Sequence, residues 1–383
     1  MSLELELMRD ARSKPITRTV HSLSHAETFS EALKAINEGV TRALPSKRQY
    51  KQGIVLSLRW ENDNLDRKDI DELLRLFNTK YGIKTDSFLL PSAPIAEVAL
   101  AIQAKIRTML SIYDSPDTLF VIVYEGHSNA YYDIPNACVS IMGSMREPTV
   151  SLPWGFVETA LAFTDGDVVF ILDSPFPSRA AMICEDIEYL AVSAFGSPAA
   201  RSINVSLKRR LIDLLGQVDA EITISQIHAK LAAHANSPGS QLGLIPVHFP
   251  AKNKPSITLR PIGACPRQRR GPRKAGDLSD GKVFVTVRIV SDTTSVPDIV
   301  EQCIQCLSKS IAGDVADIKI EGIFKFSPDS SLLLFTMPTA VWNMLRHDHS
   351  FDFVSVVQSY NLLCHRSTAT TTHPLALASG NAD

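Results

Sequence analysis

The chain has 383 residues, enough for two or three domains with a sizeable core. Hydrophobic residues make up 45% and charged residues 21%, ordinary proportions for a globular protein, and a formal net charge of -2 gives no overall pull toward nucleic acid or an anionic membrane. No apolar run approaches the ~20 residues that span a bilayer, and the opening MSLELELMRDARS has no apolar signal core, so the six scattered cysteines read as reduced thiols of a cytoplasmic or nuclear protein.

Residues 1–49 read as an N-terminal extension with one helix over 25–43, whose apolar face is Phe29, Leu33, Ile36 and Val40. A strand is expected over Ile54–Leu58. Asp66 is placed to cap a helix through Ile70, Leu73, Leu74 and Phe77, stopped by Gly82. A short strand over 84–90 and an amphipathic helix over 95–113 follow. Next comes a near-continuous apolar strand, Leu119–Tyr124, running into Glu125-Gly126-His127-Ser128. A short helix is expected over Trp154–Phe163, and a second apolar strand, Val168–Leu172, runs into Asp173-Ser174-Pro175-Phe176. Ile187–Ser193 reads as another strand. Helices are expected over 203–215 and 224–235, the latter opening with the capping box Thr223-Ile224-Ser225-Gln226, and strands near Val247 and Ile257–Leu259 complete the unit. Alternating helices and apolar strands over 50–263 predict a mainly parallel sheet covered on both faces.

Residues 264–282 read as a linker, broken by Pro266, Gly271, Pro272, Gly276 and Gly281 and carrying Arg267, Arg269, Arg270, Arg273 and Lys274. Residues 283–365 give the order strand, helix, strand, strand, helix, strand, which predicts a smaller ferredoxin-like α+β domain. Its first helix, over 297–311, holds Cys303 and Cys306; without a matching second pair they do not read as a metal site. The tail over 366–383, rich in Thr, Ser and Ala, reads as disordered.

The chemistry concentrates at two strand ends. In open α/β sheets ligands sit beyond the carboxyl ends of the strands, where His127 and Asp173 fall. A histidine at one strand end and a thiol at the next make a cysteine-histidine hydrolase; here the histidine is present and the thiol is not.

Over 50–262 the chain resembles the caspase-like peptidases, in particular a fungal, metacaspase-related group. The residues that carry the resemblance are Ser57-Leu58-Arg59-Trp60-Glu61-Asn62-Asp63-Asn64-Leu65, Val123-Tyr124-Glu125-Gly126-His127, Ile171-Leu172-Asp173, Glu188-Tyr189-Leu190-Ala191, Ile227-His228-Ala229-Lys230-Leu231 and Pro246-Val247-His248. The C-terminal unit resembles the domain that often follows in that group, through Ile320-Glu321-Gly322 and Ala340-Val341-Trp342. The resemblance implies a three-layer αβα sandwich. It implies His127 as the base, Ser128 in place of a glycine, and Pro175 at the nucleophile position, where proline supplies neither a nucleophile nor an N–H for an oxyanion. It also implies an acidic residue near Ser151, suited to a basic substrate side chain, which this chain lacks.

Three functions follow as expectations. The first is a catalytically inactive caspase-like module that binds a protein partner or a peptide segment, as a homodimer or paired with an active homologue. The second is an endopeptidase with a displaced nucleophile such as Ser178 and His127 as base. The third is nucleic-acid binding through the basic linker, which also reads as a solvated connection or nuclear-import patch. No cofactor or metal is expected, and Cys138 and Cys184 read as structural thiols.

Overall fold

The computed structural model describes residues 26, 28–63, 66–131, 138–143, 150–176, 184–193, 207–218, 221–235, 245–263, 278, 280–290, 316–327 and 330–357. Helix α1 (Phe29–Ala43) opens with a capping box: the Glu31 amide donates to Thr28 Oγ1 at 3.2 Å, and the Thr28 amide to Glu31 Oε2 at 3.4 Å. It therefore starts at Phe29, the first residue of its apolar face, four residues inside the 25–43 span expected from the sequence. Strand β1 (Gln52–Trp60) leads to α2 (Lys68–Tyr81), where Asp66 Oδ1 accepts from the Lys68 amide at 3.0 Å. Gly82, in the left-handed region at φ 65°, ends α2 as expected, with the Ile83 amide donating back to the Phe77 carbonyl at 3.1 Å.

Next come β2 (Lys84–Leu90), α3 (Ile95–Tyr113) and β3 (Thr118–Glu125), then β4 (His127–Tyr131), β5 (Cys138–Met142) and β6 (Ser151–Pro153). Helix α4 (Gly155–Leu161), β7 (Asp167–Phe176), β8 (Glu188–Ser193), α5 (Leu207–Gln217), β9 (Ile222–Thr223), α6 (Ile224–Ala235), β10 (Ile245–Phe249) and β11 (Thr258–Leu259) complete the first unit. The capping box at Thr223 forms as read from the sequence, with the Gln226 amide donating to Thr223 Oγ1 at 3.1 Å and the Thr223 amide to Gln226 Oε1 at 2.9 Å.

The main sheet has the order β10-β8-β7-β3-β1-β2, parallel except for antiparallel β10. Alternation along each strand divides its side chains between two cores. Leu56, Ile122 and Phe170 pack with Val98, Ile102 and Ile106 of α3 and with α4. Val55, Val121 and Ile171 pack with Leu73 and Phe77 of α2, Leu211 of α5 and Ile227 of α6. The αβα sandwich expected from the sequence is present.

The second unit is a smaller antiparallel α+β module. It contains β12 (Lys282–Val290), β13 (Lys319–Ser327), β14 (Ser330–Pro338), α7 (Thr339–Leu345) and β15 (Phe351–Val357), in the sheet order β13-β14-β12-β15. The helix expected over 297–311 lies outside the described residues, as do Ser178, the five basic linker residues, Cys265 and Cys364. Helices α1 and α7 cover one face of this sheet, with Ile36 and Val40 packed among Val285, Phe335, Val341 and Met344. Ala26 bridges Ile289, donating to the Arg288 carbonyl at 3.0 Å and accepting from the Val290 amide at 3.1 Å. The N-terminal helix thus builds the core of the C-terminal unit.

The two units meet through a buried polar network between α6 and α7. Glu188 accepts from Ser256 Oγ at 2.6 Å and the Ile257 amide at 2.7 Å, and lies 2.7 Å from His248 Nε2. The His248 ring stacks on His228 at 5.8 Å. His228 uses both nitrogens, 3.0 Å from the Pro246 carbonyl and 2.8 Å from Asn343 Nδ2, and Ser225 Oγ donates to the Ala340 carbonyl at 2.8 Å. Burial holds both histidines well below their ordinary 6.5 and pushes Glu188 up to about 8 against its hydrogen bonds from Ser256 and Ile257.

Asn343→Leu strips His228 of its donor and is expected to cost about 1–3 kcal/mol in urea unfolding. The histidines' contribution is complete above their unfolded pKa near 6.5 and is lost as pH falls, because the unfolded chain takes up protons that the folded one refuses. Glu188 acts in the opposite sense, its contribution being lost as pH rises from its ordinary 4.5 through about 8. His228→Gln is therefore expected to flatten the acid-side fall, measured as unfolding midpoint against pH.

Candidate functional site

Strands β3 and β7 are adjacent and parallel, with Glu125 opposite Asp173. The chain bends after β3 at Gly126, whose φ is 154° and where an added Cβ would lie 2.5 Å from Tyr124 Oη. Only glycine fits this close approach. Tyr124 Oη donates to the His127 carbonyl at 2.6 Å, so the residue before the bend fixes the backbone of the one after it. Burial holds the Tyr124 phenol above its ordinary range, so it stays protonated and able to donate.

His127 does not end β3, as the sequence reading implied. It opens β4, in a three-stranded antiparallel sheet, β4-β5-β6, that the sequence analysis missed. Its strands are three to five residues long, too short to show a period. Their register places His127 opposite Met142, and Met142 opposite Ser151. Ser151, where the resemblance implies an acidic residue, therefore lies in one cross-strand row with His127. Strand β4 packs against β7, and His127 is partly exposed while Ser128 is buried.

The turn after β1 closes the other side. An added Cβ at Gly143 would lie 2.3 Å from Asn62 Oδ1, and one at Gly126 would lie 3.2 Å from Asp63 Oδ2. The segment Ser57–Asp63, picked out in the sequence for its resemblance, thus packs against both glycines that flank the small sheet. Beneath it the rings of Tyr124, Trp154, Phe170 and Tyr189 form a ladder with centroid spacings of 5.9, 5.1 and 5.0 Å.

At the end of β7 the pairing with β8 is irregular: Leu172 faces Ala191, Pro175 faces Val192, and Asp173 and Ser174 are extra. Strict alternation, which puts Ser174 on the opposite side of the sheet from Pro175, is interrupted here. Ser174 is buried, and its hydroxyl has no hydrogen-bond partner among the described residues. Pro175 remains in the strand, and proline brings no N–H to this position.

A buried charge cluster under the strand ends was also missed. Lys208, the second residue of α5, donates to Glu125 Oε1 and lies 3.6 Å from Asp173 Oδ2; all three side chains are at most 12% exposed. Asp173 also accepts from the backbone amides of Leu207 and Lys208, capping α5 from across the sheet. Burial raises the pKa of both carboxyls, and Lys208 opposes the rise. The signal for this cluster is a lysine in the apolar row Lys208, Ile212, Leu215, opposite two acidic residues that end apolar strands.

Burial likewise raises the Cys184 thiol, which makes it a poor nucleophile. No group of three or more potential metal ligands occurs among the described residues, and no helix there is long and apolar enough to cross a membrane.

No family profile and no curated relative matches the chain. Among solved structures, caspase-1 from Spodoptera frugiperda aligns over 54% of this chain and 90% of its own, with 16% identity and a TM-score of 0.33. Pro-sf-caspase-1 aligns over 55% of this chain and 94% of its own, with 14% identity and a TM-score of 0.32. Likeness at this level says nothing of what the present chain does.

Gly126→Ala is expected to cost about 1–3 kcal/mol in chemical denaturation, since the new methyl must displace Tyr124 Oη or the His127 backbone. Lys208→Met leaves two buried carboxylates without their ammonium, and a larger loss of about 3–5 kcal/mol is expected in the same assay.

Proposed function

We propose that the chain is a caspase-like pseudopeptidase, without catalytic activity, that works as a protein-binding module. The observation that carries this reading is Pro175. It stands at the end of β7, beside the strand that delivers Gly126-His127, where the resemblance calls for a cysteine. A proline there removes the nucleophile and one oxyanion donor together. Loss of one donor alone typically lowers a rate by about 10²–10³, and members of a catalytic unit fail together. The cross-strand row His127-Met142-Ser151 supports the same reading, because a hydroxyl takes the place of a substrate-selecting carboxylate.

The strand-end cleft is then a surface for an extended peptide segment of a partner, an active homologue or a second copy. Residues 50–263 form the binding unit, and the ferredoxin-like unit at 283–365 is a second contact surface fixed to it through α6 and α7. Phe324, 55% exposed on β13, lies on that second unit. The chain acts in the cytoplasm or nucleus on this reading.

The test is peptide-library cleavage read by mass spectrometry, comparing the unmodified chain with His127→Ala and Pro175→Cys. No cleavage is expected from the unmodified chain or from His127→Ala, and weak cleavage from Pro175→Cys, which restores thiol and amide together. Cleavage by the unmodified chain that disappears in His127→Ala would establish a relocated nucleophile and overturn the proposal.

A further inference from the structure

Two carboxylates stand side by side where a ligand of an open parallel sheet sits: Glu125 ends β3, and Asp173 lies opposite it on β7. Such a pair is a receptor for a cation, and the chain supplies one. The Lys208 ammonium donates to Glu125 Oε1 and lies 3.6 Å from Asp173 Oδ2, with its side chain 6% exposed. Arg59, on the adjacent strand β1, is 8% exposed and interacts electrostatically with Glu125. Two cations and two anions balance. The receptor is not saturated, because Glu125 Oε2 is buried without a hydrogen-bond partner among the described residues. Asp173 is held by backbone amides of α5, so the lysine and its helix stand or withdraw together.

We propose that Glu125 and Asp173 form a cation subsite of the cleft that the chain fills with its own Lys208, so that the cleft accepts neutral or acidic peptide side chains and excludes lysine and arginine. The proposal rests on the reading of the cleft as a peptide-binding surface. An arriving basic side chain is opposed by Arg59 and Lys208, which already stand against the acid pair. To bind, it must displace Lys208, which then needs a new place in water. A change that draws α5 away from the strand ends exposes the acid pair and reverses the preference.

The probe is n-propylammonium, which matches the Cγ-to-Nζ fragment that Lys208→Ala removes. In the full chain, propylammonium chloride is expected to raise the thermal midpoint of Lys208→Ala saturably, relative to sodium chloride and n-propanol at equal concentration. The unmodified chain and Lys208→Met, whose side chain fills the space, are expected not to respond. If Lys208→Ala does not fold in sodium chloride, refolding is compared in the two salts. Recovery only with propylammonium supports the subsite; equal response in both salts, or no recovery in either, overturns it.

A peptide array then pairs arginine with norleucine at each position. Lys208→Ala is expected to gain about tenfold for arginine over norleucine, and the unmodified chain to show no such preference. If Lys208→Ala binds propylammonium and neutral peptides yet gains nothing for arginine, the subsite is not part of the cleft and the inference falls. If propylammonium binds but neither protein captures any peptide, the cation subsite stands and the peptide-binding reading falls.

Discussion

No residue of β3 has access to water: all eight, from Thr118 to Glu125, are buried. A strand buried on both faces needs a cover on each, and most of the first unit follows from that need. Helices α3 and α4 take one side and α2, α5 and α6 the other. Strands so enclosed have no room for chemistry along their length. Charged and titratable groups gather instead where the strands end, at Arg59, Glu125, His127 and Asp173.

The chain uses two sets of buried polar groups, and they do different work. At the strand ends the groups are charged and balanced, and an acidic side chain both caps a helix and holds its lysine. At the junction between the units, two hydrogen-bonded pairs, Glu188 with His248 and His228 with Asn343, are joined by the stacked histidine rings, and burial works against charge at each titratable group. A charge cluster with one member removed leaves an ion stranded. A hydrogen-bonded pair with one member removed leaves a donor or acceptor unmet, a smaller penalty. The second set also fixes direction, since His228 takes a donor from one unit while facing an acceptor in its own.

Helix α1 illustrates how separation in sequence misleads. It precedes the first unit in the chain, yet its buried face completes the core of the second. It stays in contact with the first as well, because the Ala43 carbonyl accepts from Thr223 Oγ1 at 3.0 Å and the Ser256 amide donates to the Arg42 carbonyl at 2.9 Å. The segment links the two units at the same junction where α6 meets α7.

The sequence by itself determined the elements whose cause is local. Apolar runs set β1, β3, β7 and β8; the box at Thr223 set the start of α6; Gly82 set the end of α2. It also placed His127 and Pro175 at strand ends, because a long apolar run announces where it stops. The tertiary structure alone decided that His127 opens a second sheet, since strands of three to five residues carry no readable period. It alone set the irregularity at Asp173-Ser174, which depends on how β8 pairs with β7. It alone brought Lys208 to Glu125, 83 residues away in the chain, and Asn343 to His228, 115 residues away. The physical reason is the same in each case. Periodicity and capping act within a few residues, whereas charge pairing and register are fixed by whichever distant surface the core presses against them.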